Sequence, residues 1–210
     1  MSIETGMLRT GLASVAVVLL GGLSAAWLTQ DFQVWTAEGA RRLAVMQTPV
    51  PAPQATLQGA DLTGEDLRAV LSAMPGRVTI ASFIYTRCPG VCLALGDSFQ
   101  QLQQALAAQA DGRVSLLSLS FDPTHDDEGQ LLRYAALWHA DARYWHMVTV
   151  PDQAQLDRLL QAWQVVVIAD GRGGYEHNAA LLVIDARGRL VRIFDNAEPA
   201  AALAFARSLS

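Results

Sequence analysis

The sequence predicts an α/β layered domain behind a single apolar N-terminal helix. Three observations carry this. From about residue 55, short β-branched and apolar runs alternate with stretches of helical spacing, the pattern of a sheet covered by helices. Thr10 to Leu28 runs nineteen residues without a charge. Hydrophobic residues make up 51% of the 210-residue chain and charged residues 17%, enough apolar matter for a packed core and too little charge for wholesale disorder. The length suits a tether plus one domain of ~150 residues.

At about 1.5 Å per helical residue, Thr10 to Leu28 is long enough to cross a bilayer core. Arg9 precedes it, while Asp31 and Glu38 follow before Arg41 and Arg42. The positive-inside rule then leaves residues 1–9 in the cytoplasm, makes 10–28 a single-pass anchor and puts the rest outside. Small residues at "LSAA" (Leu23 to Ala26) also suit a signal peptidase; length and Trp27 at the exit favour a retained anchor over cleavage, and either over a buried core helix. Residues 29–54 read as a linker, in which "VWTAEGARRLAVM" suits a short helix. The three alternate prolines of "QTPVPAPQ" (Gln47 to Gln54) favour an extended strut over packed structure.

The domain, residues 55–210, starts with "DLTGEDLRAVLSAM", whose apolar spacing fits a short helix beginning at Thr63 to Glu65. "RVTIASFIY" (Arg77 to Tyr85) and "RVSLLSLSF" (Arg113 to Phe121) read as central buried strands. Between them a helix is expected from Pro89 to about Ala110, with Leu95, Phe99, Leu102 and Leu106 on one stripe. A helix over Asp126 to His139, a short strand at "RYWHMV", a helix starting at Pro151 and a strand at "VVVIA" follow. "GRGG" turns the chain, "NAALLVID" and "RLVRIF" pair as a hairpin, and a last helix closes the sequence. Strands alternating with helices and ending in a hairpin and helix fit a thioredoxin-type sheet.

Both cysteines lie in "FIYTRCPGVCLAL", Cys88 and Cys92, three residues apart. With a helix starting at Pro89, Cys88 falls at its N-cap or just before it and Cys92 one turn on, so both sulfurs can share a face. The positive end of the helix dipole, with Arg87 beside it, favours negative charge on the Cys88 sulfur. Two thiolates so placed suit a soft metal ion or a disulfide, and spacing leaves both open. A structural staple across so short a loop gains little. Structural zinc wants four ligands, and the chain has only two cysteines. A neutral imidazole would complete a three-donor Cu(I) site, and of four histidines His177, in a glycine-rich turn before a strand, is best placed. His139 and His146, in an aromatic stretch, read as core, and His125, among Asp122, Asp126, Asp127 and Glu128, as a solvated helix start. Net charge is −5 without a basic run, which argues against nucleic acid as a partner.

"YTRCPGVC" (Tyr85 to Cys92) resembles the signature of the SCO/SenC family of copper chaperones, which have a thioredoxin-like fold. "SLSFDPTHD" (Ser118 to Asp126) and "HNAALLVIDARGRLVRIF" (His177 to Phe194) are similar to two further family segments, in the same order. The resemblance implies that Cys88, Cys92 and His177 are ligands for one copper ion, Cu(I) or Cu(II), with Asp122 supporting the site. It implies a protein on the periplasmic side of the inner membrane that helps build the copper-A centre of cytochrome c oxidase subunit II, or serves a similar copper acceptor; a monomer is the default expectation. Some family members instead act as thiol–disulfide oxidoreductases, which would use Cys88 and Cys92 without copper; a peroxidase is a more remote option on a related fold. Gly90 and Leu93 depart from the family's usual Asp and Pro, the segment before His177 is short, and "WHMVTV" lacks the usual turn.

Overall fold

A computed structural model describes residues 2–29, 34–59, 62–73, 78–88 and 90–209. The chain divides into two units, Met1–Leu43 and Ala44–Ser210. In the first, α1 (Ser2–Leu28) extends the expected apolar helix toward the N-terminus. From Gly11 to Leu28 it is long and apolar enough to cross a membrane, by length and composition. Helix α2 (Ala37–Gln47) crosses the boundary into the second unit.

The second unit contains β1 (Val50–Pro51), β2 (Gln58–Gly59), α3 (Leu67–Ala73), β3 (Val78–Ile84), α4 (Val91–Ala107), β4 (Val114–Ser120), α5 (Glu128–Leu137) and β5 (Trp145–Thr149). It continues with α6 (Gln153–Ala162), β6 (Val167–Ala169), β7 (Tyr175–His177), β8 (Ala180–Ile184), β9 (Arg189–Asp195) and α7 (Pro199–Ser208). Seven strands form one sheet in the order β1-β9-β8-β3-β4-β5-β2. The β3–β4 and β4–β5 pairs are parallel, while β8 and β9 continue the sheet antiparallel from β3. This is the thioredoxin-type α/β arrangement that the alternation of the sequence predicts.

All residues of β3 and β4 are buried, so helices and loops cover both faces at the centre, as near-continuous apolar runs require. The stripe of α4 buries Leu95, Phe99, Leu102 and Leu106 as expected. Helices α5 and α6 begin at Asp127 and Asp152, whose carboxylates accept the backbone N–H three residues on and so satisfy a donor the helix leaves free. Pro151 therefore precedes the cap of α6.

Several boundaries move. Helix α3 starts at Leu67, because Gly64 sits at φ +81, a left-handed turn conformation that ends the chain's approach to the helix. Helix α4 starts at Val91; Pro89, the expected start, lies outside the described residues, as does Arg77. The proline-rich stretch is not a free strut. Val50 and Pro51 pair with Leu190 and Arg189 at the sheet edge, Ala52 donates its N–H to Gly188 O at 2.8 Å, and Ala52 and Ala55 are buried. Proline suits this place, since an edge strand has one side without ladder bonds. "VVVIA" supplies β6, which pairs with β7 in a separate two-stranded ribbon instead of joining the main sheet.

Candidate functional site

The cysteine loop leaves the C-terminal end of β3, where parallel strands deliver side chains to a sheet's edge. Two carboxyl groups from the segment after β4 hold it. Asp126, fully buried, accepts the backbone N–H of Thr86 at 2.9 Å, the Thr86 hydroxyl at 2.6 Å and the Ser120 hydroxyl. Asp122, also buried, accepts from Arg87 at 2.9 Å and from the Thr124 hydroxyl at 2.9 Å, and lies 2.9 Å from His125 Nδ1. Burial works against charge on Asp122, but its bonds to His125, Arg87 and Thr124 outweigh this and hold the carboxyl below the usual range. Both residues that precede Cys88 are thus fixed from β4's end.

The start of α4 has no side-chain cap from Gly90. Its Cys92 N–H, one of the donors a helix leaves unpaired in its first turn, points instead at Cys88 Sγ, 3.3 Å away. With Gly90 at the cap, Cys88 lies just before it, two residues away, and its sulfur takes over part of the cap's work. Both thiols are free. Cys92 is 1% exposed and Cys88 is half-buried. Burial, reinforced by the bond to Cys88, pushes the Cys92 thiol well above its ordinary value.

His177 ends β7, in the ribbon rather than in a free glycine-rich turn. Its Nε2 lies 3.1 Å from Phe83 O. A carbonyl only accepts, so Nε2 carries the hydrogen and Nδ1 of the neutral ring presents a bare lone pair. That Nδ1 is buried without a hydrogen-bond partner. Burial lowers the His177 pKa, with the Phe83 bond opposing it, and so favours this neutral form. The ring packs edge-on against Phe121, centroids 5.0 Å apart.

Cys88 and His177 line one cleft of about 440 Å³, with Tyr85, Tyr175, Asp170 and Glu176 also in its walls. Cys92 joins them through its N–H on Cys88, and Asp122 through Arg87. Among the described residues no three Cys, His, Asp or Glu side chains already stand together as a metal cage. The cleft is lined by one soft donor, Cys88, and by His177, whose Nδ1 is unpartnered, with Cys92 buried behind Cys88.

The other histidines differ from expectation. His139 is exposed, at φ +51 beyond α5, and His146 is half-buried on β5, so neither is fully in the core. His125 is bound to Asp122, not merely solvated. Asp126, expected in a solvated acidic run, is a buried anchor, and no local pattern marks it, since its donors come from Thr86 and Ser120. Tyr85 was also missed: its hydroxyl donates to Tyr175 O at 3.2 Å and accepts from Tyr175 N–H at 3.1 Å, tying β3 to the ribbon.

A family model described as SCO1/SenC matches residues 59–207. The chain is 25% identical over 130 residues to the SCO1 protein homolog of Bacillus subtilis (strain 168), covering 61% of this chain and 67% of that one. It is similar in fold to a SCO1/SenC family lipoprotein from Bacillus anthracis str. Ames, with TM-score 0.67 and 18% identity over 78% of this chain and 98% of the other. It is also similar to Bradyrhizobium japonicum ScoI, a structure with copper bound, with TM-score 0.62 and 21% identity over 76% and 99% of the two chains. With the family match spanning well over half of its length, the chain belongs to the SCO1/SenC family.

Proposed function

We propose that this protein is a membrane-anchored copper chaperone whose cargo is held by Cys88, Cys92 and His177, one ion per chain, and passed to the copper-A centre of cytochrome c oxidase subunit II or a similar acceptor. The observation that carries the reading is that His177, with a bare, buried Nδ1, lines the same cleft as Cys88. Two thiolates and a neutral imidazole match the preference of Cu(I) for soft donors. Membership of the family and the copper-bound Bradyrhizobium relative support copper over other soft ions.

The chain's own residues then have separable tasks. Asp126 and Asp122 set the loop, so that Cys88 faces the cleft at the helix terminus. Cys92 must give up its proton as the ion enters, against a burial that favours the thiol; metal binding is thereby coupled to proton release. Phe83 O fixes the tautomer of His177, leaving Nδ1 as donor. Helix α1 crosses the inner membrane once at residues 10–28, with residues 1–9 in the cytoplasm, and holds the domain on the periplasmic side. Incubation of the copper-loaded protein with the reduced, copper-free copper-A domain tests delivery: metal should move to the acceptor, and retention of copper by a competent acceptor mixture points to a different partner.

A second reading draws on the unequal exposure of the sulfurs. Cys88 is reachable from the cleft while Cys92 is buried behind it, the arrangement of an attacking and a resolving thiol in a thiol–disulfide oxidoreductase. Turnover of a disulfide in the oxidised acceptor, without copper present, would favour it.

A further inference from the structure

We propose that Tyr85 is the positioning residue for His177, clamping the ribbon that carries it; as regards copper this rests on the reading of His177 as a ligand. A phenol hydroxyl has one hydrogen and two lone pairs. Tyr85 spends its hydrogen on Tyr175 O at 3.2 Å and accepts the N–H of the same residue at 3.1 Å. Both backbone groups of a strand residue are thus satisfied by one side chain, which does for β7 what a neighbouring strand would do. The other edge of β7 pairs with β6 and not with the seven-stranded sheet.

This matters because the ribbon is short. Strand β7 has three residues, and His177 is two beyond Tyr175 on the same face of the strand. The ribbon is tied to β3 and the residue after it by the Tyr85 clamp and by the bond of His177 Nε2 to Phe83 O, among other contacts. Aromatic packing supports them: the Tyr85 and Tyr175 rings meet edge-on at 5.3 Å, and Phe121 contacts Tyr85, Tyr175 and His177. Tyr85 directly follows β3, three residues before Cys88, so one side chain sets the histidine's position against the cysteine loop. The fit is close on the ribbon side as well. A methyl group at Gly174 would lie 3.2 Å from the Tyr85 hydroxyl and 2.8 Å from Asp170 Oδ2.

Two variants test the clamp from its two sides, Tyr85→Phe and Gly174→Ala, in the reduced full-length protein in detergent. Each is titrated with Cu(I) against a competing chelator, alone and with His177→Ala. Each should weaken copper binding roughly tenfold, as loss of a ligand's supporting partner does, and have less than about a twofold further effect once His177 is gone. An equal loss in both backgrounds, or no loss in either, overturns the proposal, since Tyr85 would then act on the cysteines or on nothing. Ring-nitrogen NMR of the copper-free protein reads the clamp independently. His177 should show one protonated and one bare nitrogen in the wild type, and averaged signals in Tyr85→Phe; an unchanged tautomer there overturns the clamp. A wild type that binds no copper but shows this NMR change would remove the ligand reading and leave the clamp standing.

Discussion

The carboxyl of Asp126 accepts both the backbone N–H and the hydroxyl of Thr86, at 2.9 and 2.6 Å, and so pins the residue two places before Cys88 to the segment after β4. The cysteine loop owes its position to this buried group more than to anything in the loop itself. Asp126→Ala would leave the Thr86 N–H and the Ser120 hydroxyl without their acceptor. Loss of about 3 kcal/mol of stability is expected, read as a lower urea midpoint for the fluorescence of the domain's tryptophans. A change under about 0.5 kcal/mol, the size of an ordinary surface substitution, would show that the loop does not depend on this anchor.

The two thiols should differ in reactivity. Cys88 opens on the cleft, whereas Cys92 is 1% exposed and its thiol is raised by burial. Iodoacetamide should modify one residue quickly, and peptide mass spectrometry should place it at Cys88. Equal labelling of both residues in the folded protein would contradict the burial of Cys92.

Gly96 lets helix α4 accept the indole of Trp138. A Cβ there would fall within 2.2 Å of the ring, too close for any rotamer adjustment of the alanine itself. Gly96→Ala should destabilise by about 2 kcal/mol, the usual cost of overpacking, despite alanine's better helix propensity. A more stable variant would mean that Trp138 leaves the helix without cost.

Far from the cleft, Asp111 ties the last turn of α7 to the turn before β4. Its buried carboxyl accepts Arg207 Nε at 2.7 Å, Arg113 Nε at 3.3 Å and the Arg113 N–H at 3.0 Å. Burial alone would raise this pKa; the arginine contacts outweigh it and hold it below the ordinary value. A depressed folded-state pKa contributes stability above the unfolded value, about 3.9, which is lost as pH falls through the folded one. The stability difference between wild type and Asp111→Asn should therefore be present at pH 7 and shrink below about pH 4. Urea midpoints across that range check it, and a pH-independent difference would assign the effect to packing.

The sequence makes the centre of the fold legible and its margins much less so. Strands β3 and β4 are buried on both faces, so their apolar, β-branched runs announce them without any knowledge of partners. The same signal misleads at β6, where Ile168 is 59% exposed and the strand pairs outside the main sheet. Strand β1 hides among prolines because its pairing with β9 is long-range and leaves no local period. At the site, Cys88 and Cys92 are visible by residue type and spacing and His177 by its glycine-rich turn, whereas Asp122 is marked only by the family resemblance. Asp126 looks like part of a solvated charge run, since burial of a carboxyl is decided by the donors that reach it from β3 and β4. Tyr85 reads as one more strand aromatic, its role being a contact across ninety positions.

The central claim is a three-donor copper site, and a Cu(I) titration of the reduced full-length protein against a colorimetric chelator meets it most directly. Cys88→Ala, Cys92→Ala and His177→Ala would be titrated beside the wild type. The account predicts one equivalent bound by the wild type, binding lost in either cysteine variant, and clearly weaker binding without His177. Full affinity in His177→Ala would remove the histidine from the site, and wild-type binding no better than that of a protein lacking both cysteines would contradict the copper reading altogether.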